Sequence, residues 1–164
     1  MNAKSLSKIA FFAFLSTTTS WTMANSSVEG LWKTQDGRAK VDIKPCKTGS
    51  STLCGKIIEL REPLDPKTGR EKTDGFNPED KLKSRKLMGM ITLWDFKAVP
   101  DEPNHWSDGK IYSPREGKTY SSEMDVTEDG KTLTVRGYVG LPIFGQSQVW
   151  TRTTPDEKLM ATQE

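Results

Sequence analysis

Few residues in this sequence could carry covalent or acid–base chemistry. His105 is the single histidine, and Cys46 and Cys54 are spaced too widely for a Cys-x-x-Cys redox or zinc motif. A nucleophile–histidine–acid centre needs a histidine oriented beside the nucleophile, and no glycine-rich phosphate loop is present. Carboxylates are plentiful, but most occupy alternating outward positions or turns, where solvation accounts for them. Acid–base catalysis needs two groups in environments that separate their pKa values. Asp65, Asp74, Asn77, Glu79 and Asp80 bring oxygen ligands into one stretch, yet their spacing is not that of an EF-hand loop. The expectation is a chain with no catalytic residue, no metal ligand and no cofactor.

Binding chemistry has better candidates. Asp74 and Asn77 can lock a loop through side chain to backbone bonds, and Arg85 can pair with Asp74. The competing reading is that the same three side chains offer polar contacts to a ligand. Met88 and Met90 lie in an apolar run, where flexible thioethers adapt to irregular shapes. Tyr112 and Tyr120 each combine an apolar ring with one polar handle, and Arg136 sits in the next strand but offers a charge. Asp74, Asn77, Arg85, Met88, Met90, Tyr112, Tyr120 and Arg136 are therefore the ligand-binding candidates, with core or surface roles as the bland alternative for the aromatics.

These side chains must be held by a scaffold whose compartment is read from the first residues. Lys4 and Lys8 precede the apolar run Ile9 to Leu15, then a Ser/Thr stretch ends in Thr22-Met23-Ala24. That order is the layout of a secretory signal peptide over residues 1–24. A spanning helix would need roughly 20 apolar residues, and Ser16 to Ser20 interrupts the run. The leader holds two lysines and no acids, so residues 25–164 carry equal numbers of basic and acidic groups. A nucleic-acid partner is not expected from that balance, nor is a transmembrane segment in the mature chain. Export to the periplasm or the extracellular space also favours a Cys46–Cys54 disulfide.

After the leader the pattern is strand and turn. Leu31 to Lys33, Ala39 to Pro45 and Leu53 to Leu60 read as short strands, and Leu87 to Phe96 as one strand apolar on both faces. Trp106 to Tyr112, Thr119 to Val126, Leu133 to Val139 and Gln148 to Thr153 form a meander, with a hairpin signal at Asp129-Gly130. About eight strands on short loops suit an all-β, antiparallel up-and-down barrel, with a two-sheet sandwich as the alternative. Arg61 to Lys86 breaks the rhythm as a long, charged, proline-containing loop.

Gly30-x-Trp32 near the start and Arg152 on the last strand fit the pattern by which lipocalin barrels close, a guanidinium stacked on an indole. Further motifs follow in order: Leu53-Cys54-Gly55-Lys56-Ile57, Asp74-x-x-Asn77-Pro78, Arg85-x-Leu87-x-Gly89, Trp106-x-x-Gly109-x-Ile111-Tyr112, Gly117-Lys118-x-Tyr120, Val135 to Gly140 and Trp150-x-Arg152. Together they resemble a bacterial family of exported proteins, domain of unknown function 2147. The resemblance implies one lipocalin-like barrel over residues 25–164 and a structural role for Gly30, Trp32 and Arg152. It implies no activity. The functional expectation is an exported, noncatalytic protein that binds a small, amphiphilic or partly apolar molecule in a barrel cavity. The first alternative is an envelope interaction module whose barrel is packed and whose 61–86 loop touches a protein or cell-wall polymer. The second is an exported hydrolase.

Overall fold

Alternating inward and outward residues close on themselves in this chain. The computed structural model describes residues 27–154, so the signal peptide expected over 1–24 and the C-terminal residues 155–164 lie outside the described part. Eight antiparallel strands follow one another around a closed barrel, each bonded to its neighbour in sequence and the last to the first. They are β1 (Gly30–Lys33), β2 (Ala39–Pro45), β3 (Thr52–Leu60), β4 (Ile91–Ala98), β5 (His105–Ser113), β6 (Lys118–Val126), β7 (Thr132–Tyr138) and β8 (Gln146–Arg152). Closure leaves no sheet edge. No helix among the described residues is long and apolar enough to cross a membrane.

Because successive strands run antiparallel, their connections alternate between two ends. One end collects the β2–β3, β4–β5 and β6–β7 turns. The other, the mouth, collects the β1–β2 hairpin (34–38), the long 61–90 connection, the β5–β6 turn and the β7–β8 turn.

The core fills the barrel toward the closed end. Trp32, Ile43, Leu93, Phe96, Met124 and Leu133 are completely buried. Gly55 and Gly109 make room for them: a Cβ at Gly55 would press on Leu93 and Val41, and one at Gly109 would run into the Phe96 ring. Closure itself rests on a few side chains. Trp32 Nε1 donates to the Val28 carbonyl at 2.8 Å. The Arg152 guanidinium stacks 4.2 Å from the Trp32 ring and donates to the carbonyls of Ser27, Glu29 and Gly130. Gly30 has φ +118, and a Cβ there would lie 2.9 Å from Arg152 Nη1. The glycine of Gly-x-Trp is thus required twice, by its backbone conformation and by the arginine that crosses it. At the same end, the Cys46–Cys54 disulfide staples β3 to the end of β2, stabilising the fold by about 2.5 kcal/mol on the chain-entropy argument.

One strand differs from its expected bounds. Leu87 to Met90 does not extend β4; it forms a turn in which Met90 N–H donates to the Leu87 carbonyl and Gly89 takes φ +81. Ile91, the first residue of β4, is half exposed. A glycine inside an apolar run can turn the chain without any change in hydrophobicity, which is why the run reads as a single strand.

Candidate functional site

The mouth opens into a cavity of ≈ 460 Å³. Its walls come from five strands, with Val41, Ile57, Leu60, Ile111 and Trp150 supplying apolar surface and Leu87 joining them from the long connection. Gln148, Thr34 and Thr92 add polar points. Thr92 Oγ1 is already committed to the Tyr112 carbonyl at 2.7 Å, whereas Gln148 accepts from Trp150 Nε1 at 3.1 Å. Around the rim stand Asp36, Arg38, Arg61, Glu62, Lys72, Arg115 and Glu116. An apolar interior with a charged rim is the geometry that takes the apolar body of a molecule and leaves its polar end in water.

The rim is ordered by specific bonds. Arg115 Nη2 donates to Asp36 at 2.8 Å. In the ring of eight strands the β5–β6 turn stands opposite the β1–β2 hairpin, so this ion pair spans the mouth. Partial burial pushes the Asp36 carboxyl up, but the Arg38 amide, the Thr34 hydroxyl and the Arg115 guanidinium outweigh it and hold the group below its ordinary range. Lys72 pairs with Glu62 at 3.2 Å. Among the described residues the Arg61 guanidinium has no carboxylate partner.

The long connection is pinned to the barrel wall. Asp74 is fully buried, and its Oδ2 accepts from Arg85 Nη2 and Asn77 Nδ2, both at 2.7 Å. Its Oδ1 accepts from the Tyr112 hydroxyl at 2.8 Å, and that hydroxyl accepts from Asn77 Nδ2 at 3.0 Å. Burial first, and then the bond to the Asp74 carboxylate, push the Tyr112 phenol up. The Arg85 guanidinium lies 5.7 Å from the centre of the Tyr112 ring. Beside this cluster, Gly117 (φ +63) lies against the Phe76 carbonyl so closely that a Cβ could not be accommodated. Asp65 caps its own turn, accepting from the amides of Lys67 and Thr68 at 2.9 Å.

Four sequence candidates, Asp74, Asn77, Arg85 and Tyr112, are therefore brought together, but as a clamp that holds the loop. Tyr112 also borders the cavity, with its hydroxyl turned toward Asp74. Met88 and Met90 do not line the barrel cavity: Met90 is buried in the core, and exposed Met88 borders a shallow depression elsewhere on the surface. Their displacement follows from the turn at Gly89. Tyr120 stands opposite Ile111 in register, and its hydroxyl donates to Glu116 at the rim at 2.7 Å. Arg136 is engaged with the β7–β8 turn, its Nε donating to the Pro142 carbonyl at 2.6 Å and its Nη1 to Ser147 Oγ at 2.9 Å.

The cavity residues that sequence reading missed are Val41, Ile57, Leu60, Ile111 and Trp150. Each belongs to a strand already recognised, but which inward residue sits beside the cavity depends on strand tilt and on register shifts such as the one between Lys40 and Val41. Arg61 and Arg115 carried a weak signal, as arginines placed at the first residue of a loop and inside a tight turn.

The family model described as "Uncharacterized protein conserved in bacteria (DUF2147)" matches residues 30–152. Among solved structures, one described as "Protein HP1028 from the human pathogen Helicobacter pylori belongs to the lipocalin family" is similar with a TM-score of 0.64 at 22% identity. The match covers 84% of this chain and 89% of that one. At this identity the likeness concerns the fold. No curated protein matches the chain.

Proposed function

This chain belongs to the DUF2147 family of bacterial proteins, and from that premise and its lipocalin-like barrel we propose that it is an exported, noncatalytic binding protein. Its ligand is a small, partly apolar molecule held in the mouth cavity. The observation that carries this reading is the cavity itself: ≈ 460 Å³ lies within the range of small-molecule sites, roughly 300–1,000 Å³. Its apolar walls and charged rim favour an amphiphile over a wholly polar solute. Export is supported by the signal-peptide layout of residues 1–24 and by the disulfide.

The polar clusters support binding over hydrolysis. The buried carboxylate of Asp74 has its acceptor sites engaged by Arg85, Asn77 and Tyr112. His105 is paired with Asp125 at 2.7 Å on β5 and β6, and neither is among the cavity residues.

An environment-sensitive apolar dye should bind the mature protein with micromolar affinity and be displaced by fatty acids or similar amphiphiles. Ile111→Trp adds bulk to the cavity wall and should weaken dye binding by about 10-fold or more. Native mass spectrometry of protein purified from its own host would then look for the resident molecule. A folded wild-type protein that takes up no dye and carries no molecule would sink the reading in favour of the interaction module.

A further inference from the structure

The β7–β8 turn presents its hydrophobic side chains to solvent. Val139 is 74% exposed, Leu141 63%, Ile143 76% and Phe144 77%. Turn tips are ordinarily polar, because water must satisfy their backbone. Here part of the backbone is satisfied from within. The 3₁₀ turn Pro142–Phe144 is closed by Phe144 N–H to the Leu141 carbonyl at 3.1 Å and Gly145 N–H to the Pro142 carbonyl at 2.8 Å. Arg136 braces it from β7, bonding the carbonyls of Pro142 and Ile143 and the Ser147 hydroxyl. The side chains are thus held outward by a fixed backbone. No charged residue occurs anywhere from Gly137 to Thr151.

Location identifies what this tip meets. It stands at the mouth end, and β8, the strand that leaves it, is tied to the β1–β2 hairpin through Val149 N–H to Gln35 Oε1 at 2.7 Å. That hairpin and the neighbouring rim carry the exposed arginines Arg38, Arg61 and Arg115. Among the charged rim residues Lys and Arg outnumber Asp and Glu by four to three, and Arg61 has no carboxylate partner among the described residues. Four apolar side chains make a patch of roughly 400 Å², about half of the roughly 800 Å² that each partner contributes to a standard stable protein interface. Interfacial insertion needs much less: a few apolar side chains that sink to the acyl boundary, aided by cationic groups facing anionic headgroups. We propose that the Val139–Phe144 turn docks the barrel mouth on an anionic lipid surface. The docking contact is separate from the cavity ligand and does not depend on it.

The test is co-sedimentation of the full mature chain with vesicles of phosphatidylethanolamine and phosphatidylglycerol, compared with pure phosphatidylcholine. The protein should sediment with the anionic vesicles, about 10-fold more tightly than with the zwitterionic ones. Ile143→Ser/Phe144→Ser should lower that affinity by about 10-fold or more while leaving the thermal midpoint unchanged, because both side chains are exposed. In brominated anionic vesicles, Phe144→Trp should add a quenched emission component that wild type lacks. Three results would overturn the proposal: no sedimentation of wild type with anionic vesicles, a double variant that sediments like wild type, or an unquenched Trp at 144. A double variant that turns a wild-type dimer into monomer, with neither form bound to vesicles, would assign the tip to a second copy and equally overturn it. Dye uptake is measured separately, so a failed cavity and a failed tip give different patterns.

Discussion

Replacing Asp74 with asparagine changes the loop clamp while keeping its shape. The new amide must point its oxygen at Arg85 Nη2 and Asn77 Nδ2, since both are donors that now approach Oδ2 at 2.7 Å. Its nitrogen then faces the Tyr112 hydroxyl, which already accepts from Asn77 Nδ2. The hydroxyl proton loses its acceptor in a buried site, which costs about 1–2 kcal/mol. The bond to Arg85 loses its charge assistance. Because the Arg85 side chain is 39% exposed, solvent screening limits that loss to about 1 kcal/mol. Asp74→Asn should therefore destabilise the protein by roughly 2–3 kcal/mol. Tyr112→Phe alone should cost about 1 kcal/mol. The singles together leave two buried orphans, the Tyr112 hydroxyl proton in one and Asp74 Oδ1 in the other. The double variant leaves one, the introduced amide N–H, so it should be about 1 kcal/mol more stable than the sum of the singles predicts. Urea denaturation with an unchanged slope reads all three numbers. A loss below about 0.5 kcal/mol for Asp74→Asn, or an additive cycle, would refute the account of the clamp.

Other predictions address closure, the mouth and the loop contact. Arg152→Ala should lower stability by about 1–3 kcal/mol through lost packing on Trp32 and three unpaired carbonyls, and Arg152→Lys should recover only part of it, both read from the urea midpoint. The Asp36–Arg115 pair rests on a carboxyl held below its ordinary range, so it is fully formed above about pH 4 and is lost as the pH falls through the lower folded-state value. Stopped-flow dye release should thus stay constant from neutral pH to about pH 4 and quicken below it, and Arg115→Ala should release at the fast rate throughout. Gly117→Ala forces a Cβ into the Phe76 carbonyl at φ +63, which should lower the thermal midpoint and speed amide exchange of Asn77.

The barrel was legible because each strand repeats inward and outward residues at period two and each turn carries its own chemistry, as at Asp129-Gly130. The closure was legible too, since Gly30, Trp32 and Arg152 occupy fixed places at the two ends of one sheet. Asp74, Asn77 and Arg85 could be grouped because they lie within one loop; the fourth member of the clamp, Tyr112, is far along the chain and is joined only by folding. The Leu87 to Met90 turn was hidden inside an apolar run, with Gly89 its only mark. The apolar β7–β8 tip was hidden differently: Pro142 and Gly145 announced a turn, but pattern reading assigns turns to water and attends less to the hydrophobic residues between them.

The two ends of the barrel divide the labour between permanence and variation. The disulfide, the Trp32–Arg152 stack and the closely packed Gly30, Gly55 and Gly109 all lie away from the mouth hairpin, the β5–β6 turn and the β7–β8 tip. None of those three segments contributes to the stack of Arg152 on Trp32. Their residues can be randomised together, with the clamp at Asp74 left intact, and the barrel should still fold. The protein is thereby a ready scaffold for selected binders: a library built on 34–38, 114–116 and 139–144 would sample new recognition surfaces around one preformed hollow. Lineages that keep the far end and rewrite the mouth could acquire new ligands by the same route.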